Sequence, residues 1–156
     1  MLPNPLFAVI DANILIGLCA RELDKYDKIM LELSAYLTQQ RRMFAPQVIV
    51  MEVLYVLCNK NKSGALTDAE HSIALKEFFD IMELVEAQTG GDFALAKRAE
   101  EIRQGRGCSH SADGLYLALA EELSTLGAVE LLTFDQGQAA QATAILPQIS
   151  VKLLTP

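Results

Sequence analysis

The sequence predicts an α/β protein, a single domain built on a mainly parallel β-sheet. Three observations predict it. Short apolar runs containing β-branched residues, LFAVI at 6–10 and AVELLTF at 128–134, suit strands covered on both faces. Longer segments with helical periodicity lie between them, so strand and helix alternate along the chain. A chain of 156 residues without internal repeat, low-complexity stretch or Pro/Gly-rich linker fits one domain with a sizeable core.

The elements follow in order. LFAVI opens the sheet, and the apolar residues beyond it start the next helix. Residues 23–40 place Leu23, Tyr26, Ile29, Met30, Leu33 and Leu37 at helical spacing and predict an amphipathic helix. MFAP at 43–46 reads as a second short strand, and Pro46 suits the first turn of a following helix, where its missing N–H costs nothing. QVIVMEVLYVLC at 47–58 is ambiguous: its β-branched content suits a buried strand, its length and preceding Pro a helix, which we favour.

TDAE at 67–70 has the form of a capping box and opens a helix running to about Ile81. MELVEA at 82–87 can hold a brief extended piece, and Asp92 is placed to cap a helix over 93–104 that stops at the GRG of 105–107. Leu115, Leu119 and Leu123 form one stripe of a helix over 111–124. AVELLTF and QISVKLL, at 148–154, supply the last strands.

Composition narrows the function classes. Just over half the residues are apolar, which excludes a disordered acidic tail, and no apolar run approaches the roughly 18 residues of a membrane span. The N-terminal MLPNPLFAVID lacks the basic start of a signal peptide, so a soluble cytoplasmic protein is expected. Cys19, Cys58 and Cys108 are too widely spaced for zinc and are expected to be reduced, mostly buried thiols. A formal charge of −7 argues against coating nucleic acid by bulk electrostatics, although it permits local capture of a phosphodiester.

Four acids stand where a core would not want them. Asp11 ends the first strand and Asp135 follows ELLTF, so both sit at strand ends, where open α/β sheets bind ligands. Glu52 is the one charge between Arg42 and Lys60, and Asp113 lies in the first turn of its helix beside the apolar stripe. Each has an innocent account as a cap, turn residue or ion-pair partner. Together they point elsewhere. Two like charges about 5 Å apart repel by roughly 3 kcal/mol at an effective dielectric near 20, so a convergent set needs protons or a cation. Oxygen ligands without His or Cys suit Mg²⁺ or Mn²⁺, which can activate water and neutralise charge on a phosphate.

VIDANILI, APQVIVMEVLYVL, SADGLYLALAEEL and LLTFDQG, in that order, resemble the PIN-domain ribonucleases, and most of all the VapC-type toxins of prokaryotic toxin–antitoxin pairs. The resemblance covers nearly the whole chain. It implies a three-layer α/β/α sandwich around a central parallel sheet, and makes the segment around Glu52 a helix. It also implies a Mg²⁺- or Mn²⁺-dependent endoribonuclease that leaves 5′-phosphate and 3′-hydroxyl ends. Asp11, Glu52, Asp113 and the more variable Asp135 would be its catalytic, metal-holding acids, with Asn13 and Thr133 orienting them. Gly114 departs from the Ala that many members carry there.

Arg103 and Arg106, just upstream of Asp113, are the nearest candidates for phosphate contact, with Lys60 and Lys62 behind them. The implied partners are an RNA substrate, a small antitoxin protein and a second copy of the chain; the apolar faces of helices 23–40 and 67–81 could pair two copies, though core packing explains them equally well. Two other functions fit parts of the pattern. One is a PIN-like module that binds without cutting. The other is a haloacid-dehalogenase-type phosphatase, which would want a second Asp where this chain has Asn13.

Overall fold

A computed structural model describes residues 4–105, 107 and 112–156. Arg106, Cys108 and His110 therefore lie outside the described residues. The chain runs β1 (Leu6–Ile10), α1 (Ala12–Cys19), α2 (Tyr26–Thr38), β2 (Arg42–Phe44), α3 (Ile49–Lys62), α4 (Asp68–Met82), β3 (Val85–Glu86), α5 (Gly91–Gln104), α6 (Asp113–Ser124), β4 (Ala128–Thr133), α7 (Gln136–Ile145) and β5 (Ser150–Leu153).

The five strands form one sheet in the order β3-β2-β1-β4-β5, every pairing parallel. β1 is central, with Val9 opposite Leu131 on one side and Phe44 on the other. Ala8, Val9 and Ile10 are wholly buried, as a strand covered on both faces requires. Helices α1 to α4 pack with one another on one face, and α5 packs closely on α6 against β1 and β4 on the other. α7 lies with α5, for Ile102 and Ala144 line a common cavity. This is an α/β sandwich whose order reverses between β1 and β4.

Local chemistry accounts for most boundaries. Thr67 and Glu70 form the reciprocal capping box that opens α4. The segment around Glu52 is helical, and the helix starts at Ile49, after a turn closed by the Ile49 N–H on the Pro46 carbonyl. Pro46 thus precedes the first turn instead of occupying it. α2 begins at Tyr26, because residues 20–25 form a loop and Leu23 is almost fully exposed; Ile29, Leu33 and Tyr36 make the buried face.

Three further departures have plain causes. Asp92 sits inside the first turn of α5, whose cap is Gly90, and turns its carboxylate to a different helix. α7 carries QGQAAQATAI, which lacks the apolar stripe that would announce a helix. Of the described thiols Cys19 is buried, whereas Cys58 is exposed on α3. Among the described residues no helix is long and apolar enough to cross a membrane.

Candidate functional site

Each predicted acid opens a helix. Asp11 is the N-cap of α1, Glu52 lies in the first turn of α3, Asp113 is the first residue of α6 and Asp135 is the N-cap of α7. In a parallel sheet, helices start where strands end, so positive helix ends face the carboxyl edge and favour negative charge there.

Strand pairing carries Asp11 into the crevice. Its N–H donates to the Leu132 carbonyl at 3.1 Å, holding it between β1 and β4 where the strand order turns. Asp11 is 6% exposed, and its carboxylate is well supplied with donors. Ala12 N–H donates to Oδ1 at 2.7 Å, while the Thr133 hydroxyl and the Asn13 amide donate to Oδ2 at 2.6 and 3.1 Å. Thr133 Oγ1 also accepts from Asp135 N–H at 2.9 Å, and Asn13 Oδ1 accepts from Phe134 N–H at 3.2 Å. The end of β4 is thereby laced to the end of β1.

These donors do not offset desolvation. Burial pushes the Asp11 carboxyl from 3.8 up to about 7, and the charges of Asp113 and Glu52 add to the rise. Glu52, half-buried, is also raised, by burial first and then by Asp113 and Asp92. Its Oε1 accepts the Tyr116 hydroxyl at 2.8 Å, a bond that favours the charged form. Tyr116 is wholly buried, and burial with the charges of Glu52, Asp11 and Asp113 holds its proton on. Its hydroxyl stands amid three acids. Sequence reasoning missed it, although its place one turn after Asp113 was a usable signal.

The other predicted residues lie farther out. Asp135 is exposed; its Oδ1 caps α7 by accepting Gln138 N–H at 3.0 Å, and its charge is not among those shifting Asp11. Arg103 makes a two-pronged pair with Glu100 at 2.6 and 2.7 Å. Among the described residues, no three His, Cys, Asp or Glu side chains are gathered closely enough to hold a metal ion as they stand.

Asp92 was the second omission. Its two carboxylate oxygens accept the N–H groups of Gln47 and Val48, at 2.6 and 2.8 Å, ahead of the helix that carries Glu52. Gln47 Oε1 accepts Asp92 N–H in return at 3.3 Å. Gly91 has a φ of +66°, which favours glycine, and a Cβ there would lie 2.7 Å from that Oε1 and push the Gln47 side chain aside.

The sequence matches the family model of the PIN domain over residues 8–145, from β1 through α7, a span that includes all four acids. The chain belongs to the PIN-domain family. PIN domains are generally nucleases. A chain of the VapBC2 complex from Rickettsia felis, solved bound to a DNA fragment from its promoter, is similar in structure. The TM-score is 0.57 at 15% identity, covering 95% of this chain and 98% of that one. At that identity the likeness is one of fold. No curated protein matches this PIN-domain chain in sequence.

Proposed function

We propose that this PIN domain is a metal-dependent endoribonuclease and the toxin of a toxin–antitoxin pair. The observation that carries the proposal is the buried Asp11 at the strand-order reversal, acted on by the charges of Glu52 and Asp113. The structural neighbour from a VapBC2 complex and the nuclease character of PIN domains support it.

The donor set suits a hard cation. Asp11, Glu52 and Asp113 offer only carboxylate oxygens, and their mutual repulsion is what a cation would relieve. They would hold Mg²⁺ or Mn²⁺, with Asp135 contributing from the rim. The bound ion would supply an activated water and neutralise charge on the phosphodiester. The chain's own residues do the positioning. Thr133 and Asn13 aim the Asp11 carboxylate, Tyr116 aims Glu52, and Asp92 anchors the helix on which Glu52 rides. No nucleophilic side chain is required. The expected products are 5′-phosphate and 3′-hydroxyl ends.

A small antitoxin and a second copy of the chain are the proposed protein partners, and the cytoplasm the proposed compartment. A PIN-like module that binds without cutting is the second reading, favoured by the lack of a three-residue metal cluster among the described residues. Incubating purified protein with mixed RNA and Mg²⁺, Mn²⁺ or EDTA decides between them. Cleavage is expected with either ion and not with EDTA, and Asp11→Asn should lower it at least a hundredfold. Equal cleavage by wild type and Asp11→Asn sinks the site, and no cleavage by either favours the binding module.

A further inference from the structure

Arg103 is engaged by Glu100, so a cation on the opposite flank of the acidic edge becomes the better candidate for substrate contact. Lys25 closes the loop before α2, and its Nζ lies 5.1 Å from the centroid of the Phe134 ring. Phe134 sits between Thr133 and Asp135, and its N–H is held by Asn13, two hydrogen bonds from the Asp11 carboxylate. The ring keeps the ammonium beside the edge, and being neutral it leaves the charge uncancelled.

Among the described residues, one carboxylate pairs with both lysines of the cluster. Glu22 Oε2 lies 3.0 Å from Lys25 Nζ, and its Oε1 lies 4.0 Å from Lys60 Nζ, at the far end of the helix bearing Glu52. Two ammonium groups share one carboxylate, so the cluster carries one net positive charge in a protein of formal charge −7. All three side chains are partly shielded, 23% exposed for Lys25 and Glu22 and 31% for Lys60, which strengthens a charge pairing there. A carboxylate held between two lysines marks a place where the charge favours an anion.

We propose that Lys25 and Lys60 bind a backbone phosphate of single-stranded RNA beside the acidic edge, with Glu22 occupying their place until the phosphate displaces it. The proposal rests on the ribonuclease reading above. Lys25 and Lys60 draw the polyanion toward carboxylates that repel it, and Phe134 fixes the distance of that hold from Asp11. Glu22 makes contact conditional on exchange of one anion for another.

Opposite changes in affinity test it. A labelled single-stranded RNA oligonucleotide is titrated with Asp11→Asn protein in Mg²⁺ across a salt series, alone and with Lys25→Gln or Glu22→Gln added. Lys25→Gln should weaken binding several-fold and reduce the slope of log K against log salt by about 0.7, the value for one contact to a single strand. Glu22→Gln should tighten binding several-fold, an outcome that loss of a structural ion pair would not give. Thermal melts confirm that each variant is folded. An unchanged slope for Lys25→Gln, or no tightening for Glu22→Gln, overturns the proposal even where wild type cleaves RNA. If wild type neither binds nor cleaves RNA, the ribonuclease reading fails and takes this inference with it.

Discussion

Asp11 joins two opposed requirements in one side chain. Ala12, Asn13 and Thr133 hold its carboxylate with hydrogen bonds, yet burial lifts it to about 7. Unfolded, the group loses its proton near 3.8; folded, it keeps it until about 7. Between those values the native state binds a proton that the unfolded state lacks, so its stability falls as pH rises and is lowest above 7. The difference is on the order of 4 kcal/mol at most. Asp11→Asn removes this titration. Urea unfolding in EDTA at pH 5 and pH 8 should show wild type losing stability between the two, with the gap narrowed by roughly 2–3 kcal/mol in the variant. Equal gaps would mean that Asp11 is not desolvated as described.

At the scale of the element, the helix starts matter most. Asp113 is followed by Gly114, a poor helix former where helix propensity alone favours Ala by about 1 kcal/mol. A Cβ at Gly114 would lie 2.7 Å from the Ala99 carbonyl oxygen, so α6 meets the backbone of α5. Gly114→Ala should therefore destabilise by about 1–3 kcal/mol, read as a lower urea midpoint, and displace Asp113 with its helix. A rise in the midpoint would show that α5 yields and propensity wins. The same scale shows what could be read in advance. Asp11 and Glu52 were legible because a charge in an apolar run is conspicuous, and the α4 capping box because its partners are three residues apart. Asp92 was not, since its acceptors serve N–H groups 45 and 44 residues away. Tyr116 was passed over beside the Leu115, Leu119 and Leu123 stripe, although it stands one turn after Asp113 and donates to Glu52, 64 residues away. α7 was hidden by small and polar residues whose burial comes from the sheet beneath.

Across the whole molecule, the parallel sheet explains why four acids can each have an innocent account and still share an edge. The topology puts helix starts there, and a helix start is where an acid is most readily accommodated. Sequence alone therefore reached the sheet, most of its elements and the acids at strand ends, while α7 and the ties across the crevice needed coordinates. The outer surface supports a separate expectation. Leu31 and Leu37 on α2 and Ile73 and Phe79 on α4 are all more than half exposed, a large apolar content for solvent. Light scattering should give about twice the 17.1 kDa of one chain, and Leu31→Glu should return it to a single chain. A monomeric wild type would leave these faces for another partner.

The lacing of Asp11 to Thr133 has a consequence in time. The two residues are 122 positions apart, and β1 has its full set of neighbours only once β4 is in place. Chains are made from the N-terminus at about 5–20 residues per second, so Asp11 emerges many seconds before its hydroxyl donor exists. A growing chain, or a fragment ending short of β4, carries three of the four acids without the frame that aims the first. The nuclease proposed here would have no assembled site until its last strands are drawn in.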